Sequence, residues 1–590
     1  LILGSSWNNS AIFDETAHVP AGYSYITQFD YRLNPEHPPF IKALAALPLL
    51  FFKHINFPTD TNAWRDAVNG QWEQGHIFLY EAGNNPDQIL FWMRLPIMLL
   101  SILLGWLIFW WTKNRFENRT AVLALLFYAF SPNIIAHSEF VTTDIGAAFA
   151  FFAGVIFFIK FLENPSWKNV FLLGIIFGIA QTAKFSLFLL VPIYFVAALI
   201  WAFAKNETSL QKRLKIFLSL AGKIIGMGFI GLVVIWLVFA PFLINYPQSK
   251  NISDAASIIG GFKIKALVSF DLWLLNTKWL RPVGQYLFGL MMITQRQVGG
   301  NTSFFLGEIS SKGSHLYFPT LYLLKEPLAY LLFLLIALWR GLKKIFAANN
   351  FPGNASRAQK TAIWIQNHPA EFMMIFFVLF YWAYSVSQPL NIGLRHVLPT
   401  FPFIYILVAA QINDWLKSSA VAAPRDWREW LVNLYRVCIK PIPRFALAGA
   451  LLLWLIINAI MAFPNYLSYY NELAGGTKNG YLIATDSNYD WGQDLIRLKQ
   501  YAEINSIQKI AVDYFGGGDP KYYLGGKEEN WWPSRGQAHG YFAISANAQM
   551  GAYGAIGPGF TRKYEDSYEW LRPFRPIARA GQSIFIYQLP

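Results

Sequence analysis

Three short stretches of this sequence combine residue types that can move a proton or hold a negative charge. In FDETAHVPAGY, two carboxylates stand side by side at Asp14 and Glu15, and His18 follows one helical turn later. The chain then runs through aromatic residues to Glu36-His37-Pro38-Pro39 and an apolar run, up to Phe52, that is too short to cross a bilayer. HSEFVTTDIGAA sets Asp144 at the start of an apolar run, and NIGLRHVLPTFPF sets Arg395 and His396 at the start of another. Lys325 lies where a long polar segment enters a further apolar run. Ionisable groups are costly beside hydrocarbon, so a functional role is the first hypothesis for them there. Plainer roles compete. Asp14 and Asp144 stand where a helix cap is wanted, and Lys325 can snorkel to the interface.

The elements that must position these groups are membrane helices. Of 590 residues, 55% are hydrophobic and only 14% charged, far from a soluble composition. Apolar runs long enough to cross fall at about 91–112, 120–136, 141–162, 168–183, 185–204, 224–245, 321–339, 370–388, 396–412 and 445–463. That gives ten expected crossings. The chain begins at Leu1 with only a few residues before the carboxylates, and a first membrane helix is expected ahead of it. If the Asp14 loop lies on one side, the loops on the other side are 113–119, 160–168, 205–223, 340–360 and 413–444, with 21 Lys/Arg against 6 Asp/Glu. By the positive-inside rule those loops are cytoplasmic, and Asp14 faces outward. The remainder carries 27 basic and 28 acidic residues. The formal charge of +14 is thus a topology signal and gives no reason to invoke nucleic acid. One cysteine, Cys438, excludes an intrachain disulfide and a cysteine metal cluster.

Three regions follow. Residues 1–90 form a first outer loop with interfacial helices, 91–470 a helical membrane domain with a long outer loop at 246–320, and 475–590 a small extracytoplasmic α/β domain. In the last, KIAVDYF, GYFAISA and SIFIYQL read as strands and WGQDLIRLKQYAEI as a helix. With so modest a core, this domain is expected to rest on the membrane part or on the 246–320 loop. Its Asp486, Asp490, Asp494, Asp513 and Asp519 do not form a calcium-loop pattern, and capping or solvation is the expected role.

Taken together, the DE pair, the EHPP-x-x-K segment from Glu36 to Lys42, MRLP at Met93 to Pro96, the TTD turn, FFLGE…YFPTLYLLKEPL, LRHVLPTFP and DSNYDWGQDL resemble a known family. They are similar to the bacterial multi-pass glycosyltransferases of the C-type fold, the protein O-mannosyltransferase and aminoarabinose-transferase-like enzymes that take sugar from a polyprenyl-phosphate carrier. The resemblance spans almost the whole chain and lies in the order of the motifs more than in any one of them. It implies a polytopic α-helical membrane protein with a C-terminal α/β domain, in a bacterial cytoplasmic membrane with the catalytic loops outside. One departure stands out: His37 occupies the place between glutamate and proline where aminoarabinose transferases have lysine.

The implied reaction is inverting transfer of a sugar from a polyprenyl-phosphate donor to a protein, lipid or glycan hydroxyl. The residues agree with it, for no glycine-rich nucleotide loop is present. Asp14 is the expected general base, with Glu15 and Asp144 as further catalytic carboxylates. His37, Lys325, Arg395 and His396 are the expected donor-phosphate ligands, and His18 and Glu36 substrate-binding groups. A protonated His37, its pKa raised by Glu36 and the phosphate, would make activity fall as pH rises through neutrality. No cofactor is expected, with a divalent cation left open. A transporter is the main alternative, but it would carry its charges at mid-bilayer in paired repeats. A ligase or polymerase moving a lipid-linked oligosaccharide, or an inactive scaffold that binds a partner, are the others.

Overall fold

In hydrocarbon every backbone N–H and C=O must find a partner within its own segment, which leaves helices for runs this apolar. In the computed structural model, which describes residues 1–205, 207, 209–347, 356–417 and 426–590, all ten apolar runs are helical. Among the described residues seven helices are long and apolar enough to cross a membrane, or nine if two bent pairs each count as one span. The expectation of ten uninterrupted crossings is therefore corrected in three places. The run at 120–136 is Asn118–Ala129 followed by Pro132–Ser138 at 62°, because Pro132 brings no N–H donor and the Ser131 hydroxyl caps a new helix start. The run at 321–339 turns by 114° between Tyr317–Lys325 and Leu328–Lys344. Glu326 there is extended, as a residue before proline tends to be. The helix Trp167–Gln181 has 15 residues, short of the roughly 20 that a crossing needs.

The first outer segment is folded into this frame. The helix Phe13–Thr27 buries nearly every residue from Glu15 to Tyr25 and packs against Phe40–Ala46 and Gln71–His76. Gly22 lets the first of these neighbours approach, since a Cβ there would stand 2.4 Å from the Lys42 carbonyl oxygen. The short apolar run after Pro39 is Phe40–Ala46 plus a 3₁₀ turn, Leu47–Phe51, whose last residue is exposed.

Among the described residues, eight short strands lie outside the apolar helices. They are β1 (Ser303–Phe305), β2 (Glu308–Ser310), β3 (Ile510–Asp513), β4 (Glu528–Asn530), β5 (Gly540–Ser545), β6 (Ala555–Ile556), β7 (Ala578–Ala580) and β8 (Ile584–Leu589). The larger sheet has the order β4-β3-β5-β8-β7, parallel across its first three strands and antiparallel at β8 and β7. Its core contains all three expected strands, and the helix Leu495–Ile504 covers one face. The other face, with Phe542, Ile544 and Phe585, joins the hydrophobic cluster of the membrane helices. The β1–β2 hairpin of the long outer loop pairs in parallel with β6, Glu308 opposite Ala555. The C-terminal region thus packs against the apolar helices through its larger sheet and pairs with the long outer loop through β6.

Candidate active site

Helix Phe13–Thr27 begins at an N-cap, Ile12, that has no side chain to satisfy the first free N–H groups. Glu15 does that work. Its Oε2 accepts the Ile12 N–H at 3.1 Å and the Arg94 Nη2–H at 2.7 Å, while Oε1 accepts Arg94 Nε–H at 2.8 Å and the Val141 N–H at 2.9 Å. The pair is fully buried. Glu15 is thereby corrected from catalytic candidate to structural ion pair, because both of its oxygens are committed. Capping, the plain alternative for Asp14, belongs to Glu15 instead.

Asp14 is left free to face a cation and an opening. Its Oδ2 accepts from Arg395 Nη1 at 2.7 Å, while Oδ1 has no hydrogen bond among the described residues and the side chain is 19% exposed. Arg395 Nη1 also lies 3.5 Å from Asp144 Oδ2, and Asp144 Oδ1 accepts from Lys184 Nζ at 2.6 Å. The four groups form an alternating row: Asp14, Arg395, Asp144, Lys184. Burial pushes the Asp14 carboxyl up, but the Arg395 guanidinium beside it and His18 outweigh this and hold it below the ordinary carboxylate value. Asp14 is ionised at neutral pH.

Arg395 sits in the turn Leu394–Thr400, which the C-terminal region clamps. Asn488 Oδ1 accepts the Leu394 N–H at 2.9 Å, and the guanidinium lies 4.2 Å over the ring of Trp491. On the other side of the row a small cavity opens, lined among others by Asp144, Lys184, Arg395, His396, Gln297 and Tyr384. Among the described residues His396 Nε2 is buried without a hydrogen-bond partner, and Asp144 Oδ2 has only its 3.5 Å ion pair with Arg395.

His18 and the Glu36-His37 turn form the next layer. His18 Nδ1 bonds the Val141 carbonyl at 2.8 Å, and its ring meets His37 edge-on at 5.1 Å. Glu36 binds Gln71 and the guanidinium of Arg296. Beneath the turn, buried Lys42 donates to the carbonyls of Asn34 and His37 and to the Tyr25 hydroxyl. Burial first, and then His18, Lys42, Lys184 and Arg296, push the His37 pKa well below its ordinary value. The expected raised pKa is therefore corrected for the unliganded protein: the nearby carboxylate, Glu36, is bonded to Arg296, and the cations outnumber it.

Lys325 stands apart from this layer. Its Nζ donates to the carbonyls of Leu467, Tyr469 and Asn488 at 2.5–3.0 Å and lies 4.5 Å over the Tyr470 ring. With three donors and three acceptors it is satisfied, so the expected phosphate ligand is corrected to a tie between the bent helix and the C-terminal region. Lys184, Arg296 and Trp491, by contrast, are brought to the site although none of them was among the expected site residues. Lys184 offered one signal, as a cation at the outer end of an apolar run.

Arg94, Asp144 and Lys184 lie within residues 87–244, which match the dolichyl-phosphate-mannose-protein mannosyltransferase family. No curated protein sequence matches the chain. Among solved structures it is similar to ArnT from Cupriavidus metallidurans bound to undecaprenyl phosphate, at 14% identity and TM-score 0.42, over 99% of this chain and 95% of that one. It is also similar to the Archaeoglobus fulgidus oligosaccharyltransferase, at 14% identity and TM-score 0.36, over 75% of this chain and 49% of that one. Asp14 and its cations are thus set among apolar helices long enough to cross a membrane, and the stretch that supplies Asp144 and Lys184 is similar in sequence to that mannosyltransferase family.

Proposed function

We propose that the enzyme moves a sugar from a polyprenyl phosphate to an acceptor hydroxyl on the outer side of a bacterial cytoplasmic membrane, with Asp14 as general base. The observation that carries this reading is the split state of the Asp14 carboxylate: one oxygen is held by Arg395 and the other is open. The open Oδ1 takes the acceptor O–H proton as the acceptor oxygen attacks the anomeric carbon. The bond from that carbon to the phosphate oxygen breaks, and its electron pair leaves on the phosphate. Base catalysis of this kind contributes about 10²–10⁴-fold. Arg395 fixes the geometry and keeps Asp14 ionised.

The leaving phosphate needs positive charge in a place poor in water. Lys184 and Arg296 supply it beside His37 and His396, which serve as hydrogen-bonding groups. Asp144 holds Lys184 and Arg395 in register, and His18 with Glu36 shapes the turn. The acceptor class, whether protein, lipid or glycan, is open to the following test. Purified protein is given radiolabelled polyprenyl-phosphate sugars with a serine/threonine peptide, a lipid or a glycan as acceptor. Release of polyprenyl phosphate coupled to label on one acceptor supports the reading, and an unconsumed donor overturns it in favour of transport or scaffolding.

A further inference from the structure

The last apolar helix, Ile442–Met461, buries only a narrow stripe of Ala448, Leu451, Leu455 and Ala459. Its remaining face, including Leu453, Ile457 and Ile460, is exposed and ends at Met461, which is 77% exposed. A face this apolar is covered by acyl chains in a membrane protein. Where it ends, a cleft of about 490 Å³ opens between Met461–Ala462, the turn Gly475–Asn479 and the C-terminal sheet at Arg579 and Gln582. None of its lining residues is a carboxylate, and two are cations.

Both cations lack an acidic partner. Lys478 Nζ makes no hydrogen bond or ion pair among the described residues. Arg579 is held in place, with Nη1 donating to the Lys478 carbonyl at 2.7 Å and its guanidinium 4.7 Å over Phe585 and 5.2 Å over Tyr481. Its remaining donors meet no carboxylate among the described residues. Nearby, Gln582 Oε1 is buried without a partner. A preset guanidinium beside an exposed ammonium matches a phosphate ester. The site shares no residue with the Asp14 row.

We propose that this cleft binds the phosphate of an anionic phospholipid whose acyl chains run down the exposed face of Ile442–Met461. It anchors the C-terminal region to the membrane surface. The lipid is a structural ligand, so the inference does not depend on the glycosyl-transfer reading.

Native mass spectrometry of the full chain, loaded with phosphatidylglycerol or phosphatidylcholine, tests it. The wild type should retain phosphatidylglycerol in preference. Lys478→Ala should cut that preference about fivefold, the equivalent of about 1 kcal/mol for one basic group near an anionic surface. Lys478→Arg should restore it, and millimolar inorganic phosphate should leave the retained lipid in place. An unchanged preference in Lys478→Ala overturns the proposal. So does displacement of the lipid by inorganic phosphate, which makes this a free-anion site, or by equimolar polyprenyl phosphate, which makes it a carrier site.

Discussion

Asp14 and Glu15 are neighbours with the same chemistry, and their environments separate them. Asp14→Asn keeps shape and removes basicity, so transfer should fall by about 10²–10⁴-fold while the melting temperature stays near that of the wild type. Wild-type turnover in purified Asp14→Asn protein would remove Asp14 as the base. Glu15→Gln should act through the fold, because it leaves Arg94 buried against a neutral amide. Breaking such a pair costs about 3–5 kcal/mol, which thermal melting would register even where donor binding survives. The pH dependence follows from the same site. The depressed pKa of Asp14 lies below its unfolded value, so both the base and its contribution to stability are present at neutral pH and are lost as pH falls through that lowered pKa. His37, with its pKa pushed well below the ordinary imidazole value, is neutral at neutral pH. Around neutrality the profiles of wild type and His37→Gln should superimpose. A decline in the wild type that His37→Gln abolishes would show that bound phosphate recharges the imidazole.

Among elements, the turn Leu394–Thr400 depends most on support from outside the apolar helices. Trp491 is 1% exposed and carries the Arg395 guanidinium on its ring, a contact worth about 2 kcal/mol when desolvated. Trp491→Phe should keep the stack and most activity. Trp491→Ala should lower the catalytic rate more than it weakens donor binding, because it loosens Arg395 and through it Asp14. The comparison is read from single-turnover rates against donor titration, and equal losses in both would make Trp491 a mere packing residue. A second support is the turn at Gly517, whose N–H donates to the Ala11 carbonyl at 3.1 Å, just before the Asp14 helix. A Cβ on Gly517 would stand 2.2 Å from the Ile12 carbonyl oxygen, so no larger residue can bring the two regions this close.

At the scale of the whole molecule, the C-terminal region braces the candidate site, since Asn488 and Trp491 hold the Arg395 turn. Removing residues 475–590 takes away Asn488, Trp491 and the Gly517 turn, so donor turnover should be lost even with water as acceptor. Donor hydrolysis surviving that deletion would show that the row assembles without it. The orientation makes its own prediction. A reporter fused after Pro590 should be active only when it is exported, and activity confined to the cytoplasm would invert every loop assigned from the lysine and arginine asymmetry.

What the sequence determined by itself is what local composition controls. Apolar length placed all ten helical runs, apolar runs of strand length marked β3, β5 and β8, and charge placement indicated a side for each loop, while the bends before Pro132 and Pro327 emerged only in the structure. Asp14 and Arg395 were legible because ionisable groups at the ends of apolar runs are rare enough to ask for a reason. Only the tertiary structure decided which of them meet. Arg94 pairs with Glu15, Lys184 with Asp144 and Arg296 with Glu36 across large separations in the chain, and nothing in a neighbouring residue encodes a distant partner. Lys325 shows the reverse: its position promised a site, but the backbone carbonyls of Leu467, Tyr469 and Asn488 reached it first. A buried charge goes to whichever partners the packing delivers, because leaving it unpaired costs more than any local preference can offset.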